Sequence, residues 1–426
     1  MKTSEHFEEG RYGRFRNEVM AGGSVTEAPE EEPTAGPLGA LIGIVILGLL
    51  AWLAFVNVWM FVFVVGILIS VFLHETGHFV TARLTGMKAT QFFLGFGPRL
   101  WSFRRGETEY GVRALPFGAF VRIIGMNNLD DVPPEDEART YRQQSYPRRM
   151  LVITAGSLMH LLIAIVLLFT VFAAKGELAD DPGSEVTALT ANGPAEEAGI
   201  RSGDIILTID GQDVDGPDDL GTVVRSFQPG DEVVVDVQRG GQTVTVPVVL
   251  GENTDQQSPT FGAALLGVGS RTPLGWDEMS LGEAAVSSVT ELFPVTWEST
   301  KGIVQVLNPV NIFEHLSGES DDLSTRPTTV VGITQVSGEF GDELGFYGIL
   351  LLLASVNVFV GVFNMFPLLP LDGGHAAVAT YERLRERDGR RYFADVSKLM
   401  PLAMGVIVVL LFLFMSGLYL DITDPF

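Results

Sequence analysis

Apolar and polar positions fall into blocks along this chain. From Pro37 to Leu73 almost every residue is apolar and none is charged. That is about twice the ~20 residues that one helical crossing of a bilayer needs. The pattern predicts two spans, roughly 38–55 and 57–80, turning near Asn57; one long tilted helix is the alternative. Three further apolar runs, about 150–174, 344–366 and 401–420, are each long enough to cross. The expectation is a polytopic α-helical membrane protein with four core spans and one extra N-terminal span at 37–56. Residues 1–36 are acidic and Gly-rich and read as a disordered tail, not as a secretory signal, because acid rather than base precedes the first apolar run.

A different periodicity occupies 183–251, where short alternating runs are bounded by glycine turns. Val233–Val237 and Val244–Val248 flank Gly240-Gly241, a hairpin signal, and Asp218–Phe227 reads as a short helix. The string Ala198-Gly199-Ile200-Arg201-Ser202-Gly203-Asp204-Ile205-Ile206-Leu207-Thr208-Ile209-Asp210-Gly211 resembles a PDZ domain. That resemblance implies an inserted α+β domain with a peptide groove at Gly199, Ile200 and Gly203. The remainder, 252–343, is expected to be a linker with amphipathic helices. Phe293 and Trp297 recur at helical spacing within 281–308, and 340–347 is patterned alike. The spacing fits a gate on the outer membrane face and a packed helix of an outer domain equally.

Charge sharpens the topology. The chain has 426 residues, a mean hydropathy of +0.28 and yet a formal charge of −24. Segment 175–343 carries seven basic and twenty-nine acidic residues, whereas 81–149 carries eleven basic against seven acidic. Segment 367–400 is also slightly positive. The positive-inside rule places 81–149 and 367–400 in the cytoplasm and 175–343 outside the cell membrane. A strongly acidic chain has no electrostatic footprint for nucleic acid. The absence of cysteine excludes disulfides, thiolate metal sites and a cysteine nucleophile.

The chemistry centres on His74-Glu75-Thr76-Gly77-His78, an H-E-x-x-H string at the end of an apolar run. On a helix, i and i+4 share a face, so His74 and His78 can bind one Zn²⁺ while Glu75 reaches a water there as general base. An ionisable residue at the centre of a span costs about 2.5–3.5 kcal/mol or more, which marks such residues as functional. Two histidines need a third protein ligand. Asp372, the first acid after the 344–366 run, follows two helix-breaking prolines, Pro367 and Pro370, and precedes Gly373-Gly374. By the topology above, Asp372 and His74 both lie at cytoplasmic ends of spans. The plainer alternative for Asp372 is a helix stop in a loop.

The chain resembles the site-2 protease family of intramembrane zinc metalloproteases, and within it the bacterial branch with one extracytoplasmic PDZ domain. The family's H-E-x-x-H matches His74, Glu75 and His78, and its N-x-x-P-x-x-x-L-D-G matches Asn364, Pro367, Leu371, Asp372 and Gly373. The resemblance covers about 57–420. It implies first and second protease halves at 57–174 and 344–420, with His74, His78 and Asp372 as zinc ligands. It further implies Glu75 as catalytic base and Asn364 as a contact to the substrate backbone. It implies a re-entrant β-structure over Phe92–Ile124, with Gly95, Phe96, Gly97 and Gly118 at the substrate. The implied function is hydrolysis of a peptide bond inside single-span membrane proteins, such as anti-sigma factors or remnant signal peptides. An upstream trimming protease would act first, as regulated intramembrane proteolysis requires. The alternative is an inactive membrane scaffold that binds peptides through its PDZ domain. The sequence departs from the family at Gly156-Ser157-Leu158-Met159-His160, where G-P-x-x-N is common. His160 fits a hydrogen bond in the site cavity or between helices; His315 and His6 read as surface residues.

Overall fold

The computed structural model describes residues 37–425, apart from 127–129, 131, 321, 323, 388 and 389. The expectations for the 1–36 tail and for His6 fall outside the described residues. The chain divides into two compact units: one is Ala173–Ser280, and the other comprises the residues before and after it.

In the larger unit, α1 (Pro37–Val56) and α2 (Val58–Leu84) are separate helices. Asn57 breaks them with an extended backbone, and its Oδ1 accepts from the N–H groups of Trp59 (2.8 Å) and Met60 (3.1 Å). That is an N-cap, which satisfies donors the start of α2 would otherwise leave unpaired. Next come β1 (Ala89–Arg105) and β2 (Thr108–Ile123), a two-stranded antiparallel sheet with several register irregularities. After α3 (Tyr146–Ala174) the chain enters the smaller unit.

That unit holds β3 (Glu177–Asp180), β4 (Ser184–Leu189), α4 (Pro194–Ala198), β5 (Ile205–Ile209), β6 (Gln212–Asp213) and α5 (Gly216–Arg225). Then follow β7 (Glu232–Arg239), β8 (Gln242–Val249), β9 (Gly251–Glu252), β10 (Ala264–Leu265), β11 (Val268–Arg271) and β12 (Leu274–Asp277). The main sheet runs β11-β4-β5-β7-β8, with β6 paired to β5. Alternate residues of β7, Val233, Val235 and Val237, are fully buried with Val186, Ile206 and Ile209, as a one-faced sheet requires. The boundaries 183–251 are therefore too narrow. β11 belongs to the main sheet, and β3 pairs with β12 across the ends of the unit, register Leu178 to Trp276. Neither pairing is visible without the fold, because each joins residues about eighty or more positions apart.

Back in the larger unit are α6 (Leu281–Thr290), α7 (Leu292–Val306), α8 (Pro309–Ser317), α9 (Val330–Asn364), α10 (Asp372–Arg385) and α11 (Met400–Thr423). Phe293 and Trp297 of α7 are exposed. Helix α9 is two helical stretches joined at Gly345, whose φ of 64° is a left-handed conformation that favours glycine. The apolar run near 344–366 is its second stretch. Buried Asp421 of α11 holds the start of α9: its Oδ2 accepts from Thr329 N (2.9 Å), Thr329 Oγ1 (2.6 Å) and Gly332 N (3.0 Å). A carboxylate is favourable there because the first turn of a helix is electropositive. His315 is buried, contrary to the surface expectation, because its Nε2 pairs with Thr325 Oγ1 at 2.9 Å. Among the described residues, five helices (α1, α2, α3, α9 and α11) are long and apolar enough to cross a membrane.

Candidate metal centre

His74 and His78 stand one turn apart on α2, both buried, with their Nε2 atoms 3.2 Å apart. Asp372 is the first residue of α10 and lies 298 positions after His74 in sequence. Its Oδ2 is 3.5 Å from His74 Nε2 and 3.2 Å from His78 Nε2. His78 Nδ1 donates to the Val152 carbonyl at 2.7 Å, which leaves the Nε2 lone pair facing the cluster.

Two tests bear on whether zinc fits these three residues. Zinc–nitrogen and zinc–oxygen bonds of about 2.0–2.1 Å at tetrahedral angles put ligand atoms about 3.3–3.4 Å apart. The observed separations run from 3.2 to 3.5 Å. The second test is Gly156 of α3. A Cβ there would lie 2.5 Å from His78 Nε2 and 2.6 Å from His74 Nε2, little more than a metal–ligand bond from both donors. The fold keeps that position free of any side chain. Gly77 makes the same crossing tight from the other helix, since its Cβ would meet the Ala155 carbonyl at 2.7 Å. In the sequence both glycines stand only as members of longer strings, Gly77 within H-E-x-x-H and Gly156 at the head of Gly156–His160, and neither string states that they mark the crossing of α2 and α3.

Glu75 sits beside the pair, and its Oε2 accepts from the Val121 N–H of β2 at 3.1 Å. The hairpin thereby fixes the carboxylate next to the histidines. Asn364, the last residue of α9, donates from Nδ2 to Asp372 Oδ2 at 3.0 Å and lies 3.3 Å from His74 Nε2. Its amide thus orients Asp372 in this structure. His160 makes an interhelical hydrogen bond, Nδ1 to Asn357 Oδ1 at 2.8 Å, with its ring centroid 4.9 Å from that of His74. Asn357 Nδ2 in turn donates to Leu353 O (2.7 Å) and Ser70 Oγ (3.1 Å). This buried network links α2, α3 and α9 behind the cluster.

Gly95, Phe96, Gly97 and Gly118 come together in the β1–β2 hairpin. Phe96 pairs with Leu115, and a Cβ on Gly118 would touch the Phe96 ring at 2.5 Å. The groove expectation for the smaller unit is corrected. The N–H groups of Gly199, Ile200 and Gly203 already donate to the carbonyls of Glu196, Ala195 and Val186, and the Ile200 side chain lies in the core. These residues build a turn, which Arg239 closes by bonding Asp204 Oδ1 (2.7 Å) and the Gly199 carbonyl (2.9 Å).

The family model described as Peptidase family M50 matches residues 62–410. Zinc metalloprotease Rip1 of Mycobacterium tuberculosis is 32% identical over 395 residues, covering 85% of this chain and 96% of the relative. The Rip1 of Mycolicibacterium smegmatis is 31% identical over 398 residues, covering 85% and 97%. Among solved structures, the PDZ domain of an SdrC-like protein from Listeria monocytogenes is 21% identical, covers 22% of this chain and 90% of its own, and gives a TM-score of 0.19.

Proposed function

The chain belongs to peptidase family M50, the site-2 proteases, and is a membrane-embedded zinc metalloprotease; on that premise we propose that it hydrolyses a peptide bond within the spanning segment of single-span membrane proteins. The observation that carries this reading is the convergence of two Nε2 atoms and one carboxylate oxygen at zinc-ligand spacing, with Glu75 alongside. His74, His78 and Asp372 would hold the metal. Zinc, when bound there, supplies a Lewis acid that polarises a carbonyl and makes water more acidic.

The chain's own residues account for the rest. Glu75 takes a proton from the attacking water and delivers it to the nitrogen of the leaving segment. The Val121 N–H holds that carboxylate in one orientation. Asn364 holds Asp372, and the Val152 carbonyl holds His78 in the tautomer that leaves Nε2 unprotonated. A substrate helix must give up its i→i−4 hydrogen bonds before a carbonyl inside it can be reached. An edge of the β1–β2 hairpin offers replacement bonds, with Gly95, Phe96, Gly97 and Gly118 alongside the unwound segment.

The lysine and arginine distribution supports cytoplasmic placement of 81–149 and 367–400, with four core spans, an extra span at 37–56 and the Ala173–Ser280 unit outside. The glycine-turn pattern of that unit supports a PDZ-like fold. Its role in this reading is a size filter that admits substrates already trimmed by another protease, among them anti-sigma factors or remnant signal peptides. The test is Glu75→Gln in the purified full-length chain with a model transmembrane substrate. Zinc content should stay at the wild-type level while cleavage is lost; retained cleavage would overturn the role of Glu75.

A further inference from the structure

A cavity of about 490 Å³ opens between the start of α3 and the end of α10. Its wall carries Arg142, Arg149, Arg383 and Arg391, with Glu386 and Tyr392. Glu137 neutralises Arg142, Glu382 neutralises Arg149, and Glu386 neutralises Arg383. Arg391 instead donates to the uncharged carbonyl of Gln143 at 2.7 Å, and among the described residues no carboxylate ion-pairs with it. Ser145, Tyr146 and Pro147, at the N-terminus of the 29-residue α3, also line the cavity. Among the described residues, the wall thus offers one cation without a carboxylate partner and one positive helix end, which suits a single negative charge.

A second cavity of about 400 Å³ adjoins the first through Tyr392, which lines both. Its walls are mostly apolar and include Leu369, Val378, Leu399 and Leu402. Tyr392 and Tyr381 pack edge to face, with Arg385 over both rings. The start of α3 lines the first cavity and the start of α11 the second, and both helices are long enough to cross. Tyrosine and arginine concentrate at that level of a bilayer. A charged cavity beside an oily one, at the entrance of a span, has the amphipathic outline of a lipid.

We propose that these adjacent cavities together bind one anionic phospholipid, its phosphodiester beside Arg391 and the first turn of α3, its acyl chain along Leu399 and Leu402. The inference rests on the membrane reading of α3 and α11. Because Arg383 lies in the last turn of the helix that Asp372 begins, a bound headgroup braces α10 from its far end. Acidic lipids of a cytoplasmic leaflet are the natural source, given the basic segments around the site.

The test titrates the purified, delipidated full-length chain in detergent with phosphatidylglycerol, phosphatidylcholine or inorganic phosphate, counting bound molecules by native mass spectrometry. One phosphatidylglycerol should be retained per chain, with phosphatidylcholine held about tenfold more weakly. Arg391→Gln should weaken phosphatidylglycerol about tenfold, the scale of one charge-assisted hydrogen bond. Arg383→Gln is the second variant, and Arg201→Gln, outside the cavity lining, should change nothing. Equal retention of both lipids, or Arg391→Gln binding like wild type, would overturn the proposal. So would inorganic phosphate displacing the lipid at equal concentration, since the site would then read phosphate alone. Failure of the membrane orientation is read separately: the chain has no cysteine, so Arg387→Cys gives one thiol for an impermeant maleimide in sided vesicles.

Discussion

Replacing Gly156 by alanine tests the metal centre without replacing a ligand. The added methyl would stand 2.3 Å from His74 Cε1, 2.5 Å from His78 Nε2 and 2.6 Å from His74 Nε2. Carbon contacts settle near 3.5–4.0 Å, so the two imidazoles must retreat by about 1 Å. Overpacking of that kind costs about 1–3 kcal/mol. The consequence for zinc is larger, because ligand atoms must hold their distances to within about 0.2 Å. Disturbing only the outer partners of a ligand costs about 10–100-fold in metal affinity, so displacing two ligands should cost about 100-fold or more. The assay is zinc per chain by elemental analysis after equilibration in zinc buffers, alongside a melting curve in detergent. Gly302→Ala in α7 is the control. Nothing lies within 4 Å of its Cβ, so it should keep zinc and gain up to about 1 kcal/mol of helix stability. Wild-type zinc affinity in Gly156→Ala would refute the reasoning.

Two further predictions concern the supports of the site and the smaller unit. Arg149 of α3 bonds Glu382 of α10 at 2.6 Å, with the side chains 12% and 5% exposed. Arg149→Met strands that carboxylate and should cost about 3–5 kcal/mol, and pairing it with Glu382→Met should recover most of the loss in a double-mutant cycle. In the smaller unit, burial pushes the Asp204 carboxyl up, but hydrogen bonds from Arg239 and from the Arg201 N–H outweigh it and hold the group below the usual carboxylate range. A depressed folded value stabilises above the unfolded one, near ~3.9, and the contribution is lost as pH falls through the folded value. Hydrogen exchange in β4 and β5 of the full chain should therefore accelerate in that acid range, and Asp204→Asn should remove that step.

What the sequence made legible follows the range of the interactions involved. His74, Glu75 and His78 lie within one helical turn, so their spacing alone states their geometry. Asp372 was within reach because only a few acids border the apolar runs. Gly156 was not, since its meaning is an approach between α2 and α3 that no local pattern encodes. The burial of His315 depends on Thr325, ten residues on in a loop. Ile200 was misread for a related reason: the glycine string marks a turn, but only the fold shows that the turn's N–H groups are already engaged. The hairpin β7–β8 was plain from Gly240-Gly241, whereas β11 and β12 are too short and too distant from their partners to be recognised.

The ribbon of β3 and β12 has a consequence for how such a chain can be assembled and altered. Glu177 faces Asp277 across that ribbon, and facing residues of antiparallel strands stand only about 4.5–5.5 Å apart. The smaller unit therefore begins and finishes at a single doorway. A module attached in this way can be lifted out, exchanged or resized, and a linker of two or three residues would rejoin the chain without changing its path on either side.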